Sequence, residues 1–259
     1  MKLLIRISLI SLVIMVFSIS TATGAAMLDL KRLLLFYPCD ESGGDVLTDA
    51  SGHGWDGDVA NASWEKGVFG NAVRLKKTCS SVKGEIINST ATTEEISIMC
   101  WVNMKEHSTY NGLISIASAA CDASCCYRLM INPAKNPFWN AGHHVDKSLA
   151  NFTFDLDTWY HCAMVINSET TKIYIDGEFV GEQAENFPPP DLGEVSVYIG
   201  AGETATTWQA ENLLIDEVMI WDIAFEEEDM KIITQGSKIF MAVEAQGKLA
   251  TTWANLKTR

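Results

Sequence analysis

The chain has 259 residues, 47% hydrophobic and 20% charged, so it can bury a full core, and its formal net charge is −14. A surface of that sign repels phosphate backbones and anionic lipid headgroups, which argues against nucleic-acid and membrane-surface binding. It suits calcium, a hard cation that takes carboxylate and carbonyl oxygens. At the N-terminus Lys2 and Arg6 precede an apolar run over residues 7–19, and small residues follow from Ser20 to Ala26. A charged segment, a short apolar segment and a small-residue cleavage zone read as a secretory signal peptide over residues 1–26. The apolar run is short for a bilayer span of about 20 residues. Losing this segment removes Lys2, Arg6 and no acid, which takes the charge to −16. The expected mature domain spans 27–236, with a C-terminal tail over 237–259.

Strand-forming segments then follow in order. Residues 32–38 form the first expected strand, running into the turn cluster Cys39-Asp40-Glu41-Ser42-Gly43-Gly44 and the glycine-rich 50–57. Short strands are predicted over 58–61 and 72–75. In 92–103 the residues Ile96, Ile98, Cys100 and Val102 share one face, with Trp101 on the other. Further strands are predicted over 113–117 and 127–131, and 132–147 reads as a long loop. Residues 159–166 are apolar enough for a strand buried on both faces. Two more strands, 172–175 and 178–180, are joined by Asp176-Gly177, a strong signal for a type I′ hairpin. Three prolines at 188–190 make a stiff connection. Strands over 195–199 and 212–221 precede the one expected helix of the mature chain, 224–235. Acids Glu226 to Asp229 suit its N-terminus, and Gly236 suits its end.

All seven cysteines (Cys39, Cys79, Cys100, Cys121, Cys125, Cys126, Cys162) lie beyond the signal segment. In an exported protein disulfides are the first expectation, although the odd count leaves one thiol over and the sequence assigns no pairing. A zinc site at Cys121, Cys125 and Cys126 lacks a ligand pair or His at the usual spacing. Asn-x-Ser/Thr sequons stand at Asn61, Asn88 and Asn151.

The pattern Leu35-Phe36-Tyr37-x-x-Asp40-Glu41-x-x-Gly44, continued by Asp49-x-Ser51-Gly52-x-Gly54-x-x-Gly57, resembles the laminin G-like group of the concanavalin A-like lectin/glucanase superfamily. The segments Trp64-x-x-Gly67-x-Phe69-Gly70, Trp159-Tyr160-His161, Tyr174-Ile175-Asp176-Gly177 and Ile215-Asp216-Glu217-Val218-x-Ile220-Trp221 extend the resemblance. It covers residues 33–236 and implies an all-β jelly-roll sandwich of two antiparallel sheets, in agreement with the strand count and the single late helix. The cluster Cys121–Cys126 departs from the family pattern.

The resemblance also implies a structural calcium between the N-terminal turn and the last strand, with Asp40 and Asp216 at the matching positions. Both interrupt apolar sequence, where an unpaired carboxylate is costly to bury. The alternative is that Asp216 meets a backbone amide. Retaining glycosidases of this superfamily carry Glu-x-Asp-x-x-Glu or a variant, because alternation must aim both carboxylates into one cleft about 5 Å apart. No such triplet occurs, nor does a Gly-x-Ser-x-Gly elbow, a His-Glu-x-x-His helix or a phosphate loop. Ligand recognition is the remaining chemistry. Trp55, Tyr110, Trp139 and His143, with His144, fall in loop-like stretches, and aromatic faces stack on sugar rings. Packing competes with recognition at each of them, and His161 reads as a hydrogen-bonded core histidine. The sequence therefore points to an exported, non-catalytic module that binds extracellular carbohydrate or a protein partner and is stabilised by calcium. A structural or adhesive surface protein is the alternative, and a glycoside hydrolase stands third.

Overall fold

The computed structural model describes residues 29–60, 62–76, 84–86, 95–118, 126–141, 145–184, 195–202 and 207–238. The signal segment, Cys79, Cys121, Cys125, Asn61, Asn88, His143, His144 and the tail beyond 238 lie outside them. A 3-10 turn, Leu30–Arg32, leads into β1 (Leu33–Tyr37). β2 (Val46–Leu47) and β3 (Gly57–Asp58) make a small ribbon, and β4 (Ser63–Lys66) and β5 (Asn71–Leu75) a hairpin. Then come β6 (Gly84–Ile86), β7 (Ile96–Met104), β8 (Asn111–Ser118), β9 (Cys126–Ile131), β10 (Pro137–Ala141) and β11 (Lys147–Ser148). β12 (Trp159–Ile166), β13 (Thr170–Ile175), β14 (Glu178–Ala184), β15 (Val195–Ile199) and β16 (Leu213–Trp221) are followed by helix α1 (Glu227–Ile233).

The strands form two large antiparallel sheets. One has eight strands in the order β14-β13-β12-β7-β16-β5-β4, with β1 also paired to β16, and the other runs β11-β10-β9-β8-β15-β6. Their facing sides form the main core, and alternation decides which residues enter it. Ile96, Ile98, Cys100 and Val102 of β7 point inward, as do Cys162, Met164 and Ile166 of β12. The other face of the eight-stranded sheet is also covered. Met99, Ala163, Tyr174, Met219 and Trp221 pack under Phe225, Met230 and Ile233 around α1. Strands covered on both faces have no solvent side, so β16 is buried at all nine positions.

The central hairpin forms where Asp176-Gly177 requires it. Both residues take positive φ, +53° and +80°, between β13 and β14. Helix α1 starts where the acids suggest, with the Asp229 carboxylate accepting the Glu226 N–H at 3.3 Å.

The reading of 132–147 as one loop is corrected. Pro137 opens β10, a position where a missing N–H is tolerated, and β10 pairs with both β9 and β11. Trp139 is therefore a strand residue, fully buried in the main core, and its ring is not available for a sugar to stack on. Period-2 alternation explains this, since Trp139 and Ala141 both face the core. Cys39, Cys100 and Cys162 are buried with free thiols, so among the described residues no disulfide is formed.

Trp139→Ala is expected to cost about 3–5 kcal/mol, as for other buried Trp or Phe truncations. Urea unfolding of both proteins measures it. An unchanged midpoint would show that the ring does not fill this core.

Candidate functional site

Two places combine polar groups with unusual geometry. The first is a seam along β16. One edge of this strand pairs with β7, while the other is shared, with Leu213–Ile215 pairing to β5 and Val218–Trp221 to β1. At the changeover the register against β7 slips between Asp216 and Met219, and Glu217 has a φ of +51°. This is a β-bulge. It leaves both Ile215 and Val218 facing the main core and puts Asp216 and Glu217 between them.

Both acids are buried, at 0% and 1% exposure. Asp216 Oδ2 accepts the N–H groups of Val68 and Phe69 at 2.8 and 3.1 Å, while Oδ1 has no partner. Asp40 stands across the same loop, where its Oδ1 accepts the Asn71 N–H at 2.9 Å and its carbonyl accepts Asn71 Nδ2 at 3.1 Å. Gly67 and Gly70 permit the approach. A Cβ at Gly67 would overlap Asp216 Oδ2, and one at Gly70 would overlap Asp40 Oδ1. The structure thus brings Asp40 and Asp216 together around residues 67–70. The amide contact weighed for Asp216 is present, and it uses only one of the two oxygens.

Burial pushes the Asp216 carboxyl up to about 7, opposed by the Phe69 and Val68 N–H groups and reinforced by Asp40. Burial likewise pushes Glu217 up to about 8, with Ser237 partly opposing it. His161, expected as a hydrogen-bonded histidine, is 2% exposed and its Nδ1 has no partner; its ring meets Trp101 edge-on at 5.5 Å. Burial holds its pKa down at about 3. Among the described residues, no three His, Cys, Asp or Glu side chains converge as a metal site. A hard cation at the seam would rely on the two aspartates and on backbone carbonyls.

The second place is an open groove of about 870 Å³ lined by Arg74, Lys76, Lys105, Glu106, His107, Ser108, Leu156, Glu211 and Asn212. Its lining is held by a part-buried hydrogen-bond network. Asn111, fully buried, donates from Nδ2 to His107 Nδ1 at 2.7 Å and accepts the Glu211 N–H at 2.6 Å. His107 Nε2 lies 2.8 Å from the Asn132 carbonyl, which can only accept, so the ring proton is on Nε2. The Glu211 carboxylate accepts both the Ser108 N–H (2.7 Å) and the Ser108 hydroxyl (2.7 and 2.8 Å). Glu106 accepts from Asn212 Nδ2 at 2.7 Å, and Arg74 Nε donates to Asn212 Oδ1 at 2.6 Å. Lys105 pairs with the exposed Asp157 at 3.0 Å. The result is a rigid polar trough edged by cations on an otherwise acidic chain.

A family model for the concanavalin A-like lectin/glucanases superfamily, Laminin_G_3, matches residues 80–231. The chain belongs to this superfamily. Among solved structures, a Trypanosoma rangeli sialidase in complex with sialic acid is similar at a TM-score of 0.62 and 14% identity, covering 79% of this chain and 33% of the sialidase. The binding domain of botulinum neurotoxin serotype D is similar at a TM-score of 0.60 and 18% identity, covering 80% of this chain and 52% of that one. The chain thus spans about a third of the sialidase and half of the toxin domain, and at these identities the likeness is one of fold. No curated protein matches the sequence.

Of the expected ligand residues, Trp55, Tyr110 and Trp139 do not share a site. Trp55 is half-buried against the main core; its N–H meets Asp49 Oδ2 at 3.0 Å and its carbonyl accepts the Tyr37 hydroxyl at 2.7 Å. Its ring stacks on His53 at 4.6 Å, closing the turn that Asp49 organises. Tyr110 packs with Phe138 at 5.0 Å and Trp208 at 5.7 Å, next to Arg128 over the Trp208 ring. Trp139 is in the core, and His143 lies outside the described residues. Sequence reasoning missed the groove and Glu217. The bulge itself leaves a trace: the core-facing positions of β16 step from 213 and 215 to 218 and 220.

The raised carboxyls fix the sign of a pH effect. A folded-state pKa above the unfolded one adds stability that is present at low pH and lost as pH rises through the folded value. His161 works the other way, but only below its ordinary value of 6.5. Between about pH 6.5 and 8, in chelator, stability is expected to fall as Asp216 and Glu217 ionise. Asp216→Asn keeps both amide bonds and is expected to flatten this fall. Denaturant midpoints across that range measure it, and equal slopes for the two proteins would remove Asp216 from the effect.

Proposed function

We propose that the protein is an exported, non-catalytic recognition module that binds carbohydrate in the groove beside β5 and β16. The observation that carries this reading is the groove itself. It is open and about 870 Å³ in volume, and it is lined by donors and acceptors whose positions are set before any ligand arrives. Such preorganisation lowers the ordering cost of binding a hydroxyl-rich ligand. The structural neighbours, a sialidase complexed with sialic acid and a toxin binding domain, support a binding role for the fold. Export rests on the N-terminal signal pattern.

A second reading, glycoside hydrolysis, is favoured by one observation, that Glu106 and Glu211 line the same groove. Against it, Glu211 spends both oxygens on Ser108 and Glu106 holds Asn212.

The fold family implies a calcium ion, and the seam fits one. Asp216 Oδ1 is buried without a partner, and Asp40 meets the other side of the loop. Calcium bound there would neutralise the carboxylates and hold residues 67–70 to β16.

Binding to a glycan and polysaccharide array, with calcium and with chelator, tests the recognition reading. The Lys76→Ala/Lys105→Ala variant is expected to bind at least about tenfold more weakly, equivalent to about 1.4 kcal/mol. Its stability should stay within about 0.5 kcal/mol of the parent, as is usual for surface changes. No binding by a folded sample would leave a protein partner or an adhesive role. Release of reducing ends from a bound glycan, abolished by Glu211→Gln, would establish hydrolysis instead.

Melting in calcium and in chelator tests the seam. At calcium near a hundred times Kd, stability should rise by about 2.7 kcal/mol. That corresponds to about 5–10 °C for a chain of this size. Asp216→Asn should lose the shift, and identical melts of the parent would exclude calcium there.

A further inference from the structure

Beyond the groove and the seam, the core holds a pair of reactive side chains with no assigned role. Cys100 of β7 and Cys162 of β12 are direct cross-strand partners. Both are 0% exposed, both carry free thiols and both face the main core.

The type of pairing follows from the neighbouring residue. The His161 N–H donates to Asp176 Oδ1 at 2.8 Å, and the His161 carbonyl accepts the Asp176 N–H at 2.8 Å. Both main-chain groups of His161 therefore face the β13 side. Successive residues of an antiparallel strand turn these groups to opposite edges, so Cys162 turns its own toward β7. Cys100 and Cys162 are thus a hydrogen-bonded pair, in which opposed α-carbons stand about 5.5 Å apart. Disulfides most often span about 5.5–6 Å between α-carbons. Opposed β-carbons start about 4.5–5.5 Å apart. A hydrogen-bonded pair starts at the far end of that range, so reaching the disulfide mean of about 3.8 Å takes an approach of roughly 1.7 Å, shared between two strands.

We propose that Cys100 and Cys162 form a cross-strand disulfide when the chain folds in the presence of a disulfide oxidant. Burial raises both thiols, so the thiolate is scarce once the sheets have closed, and the reaction belongs to the folding chain. With glutathione disulfide, one cysteine thiolate attacks a glutathione sulfur and expels a glutathione thiolate. The second cysteine thiolate then attacks the protein sulfur of the mixed disulfide, closing the Cys100–Cys162 bond and expelling the second glutathione. Two electrons pass to the oxidant, and the two cysteine protons end on the two glutathione thiols. Cys39 is the rival partner, since it lies close enough to Cys100 for their charges to interact. It sits in the turn after β1 at a φ of +59°, its thiol directed at the Tyr37 carbonyl at 3.5 Å, with no strand register aligning it to Cys100.

The test refolds the full chain in glutathione redox buffer, blocks remaining thiols by alkylation and maps unreduced peptides by mass spectrometry. The expected product is one peptide pair joined through Cys100 and Cys162, with Cys39 alkylated. The oxidised protein should melt roughly 5–15 °C above the reduced one. The Cys100→Ala/Cys162→Ala variant should show no redox-dependent shift. Alkylation of both Cys100 and Cys162 after oxidative folding, or linkage of either to another cysteine, overturns the proposal. The peptide map of the parent chain decides this even if the variant fails to fold.

Discussion

The fold depends on how the second edge of β16 is completed. A strand buried over its whole length must have hydrogen-bond partners on both edges, since an orphaned main-chain group in the core is costly. One edge is filled by β7, but the other is filled by two shorter strands, and no ladder can continue across the break between them. The chain closes that break with side chains. Asp216 takes the two N–H groups of the β4–β5 loop, and Asp40 takes the N–H that opens β5. Two carboxylates thus do locally what a backbone ladder does elsewhere. The charge of Asp216 enters a buried region, and its raised pKa reflects that cost, whereas Asp40 stays exposed.

The acids also explain why glycines flank the loop. Gly67 and Gly70 leave no room for a side chain between the loop backbone and the carboxylates. The bulge at Glu217 contributes in a second way. By adding one residue it returns Val218 and Ile220 to the main core and Met219 and Trp221 to the helix-covered face. Without that step every residue after Asp216 would face the wrong layer. One local irregularity therefore serves both the seam and the outer core under α1.

Much of this architecture was legible in the sequence because it depends on local chemistry. Asp176-Gly177 marked the central hairpin, since positive φ at both positions restricts the residues that fit. The acidic start and glycine end located α1, and the apolar run of 159–166 located a central strand. Asp40 and Asp216 were singled out by the family resemblance, and the structure sets both against the loop of residues 67–70. Trp139 was misplaced because prolines and polar residues around it read as a loop, while the pairing that makes β10 comes from β9 and β11. The groove left no local pattern at all. Arg74 meets Asn212 across 138 residues, and Ser108 meets Glu211 across 103, so only the closed sandwich brings them together.

The seam and the groove share β5, and β16 begins one residue past Asn212 at the groove, which decides how they can communicate. β5 begins with Asn71, bonded to Asp40, and carries Arg74, bonded to Asn212 at the groove. At about 3.3 Å per residue those two points are roughly 10 Å apart. β16 makes the parallel link, since Asp216 follows Asn212 by four positions. Anything that fixes the seam also fixes the register of β5 on β16, and with it the Arg74–Asn212–Glu106 chain at the rim. A cation at the seam would therefore influence the groove through backbone register and would not need to touch a ligand. Its effect on binding would then follow its effect on stability, whereas a cation that bridged protein and ligand would separate the two.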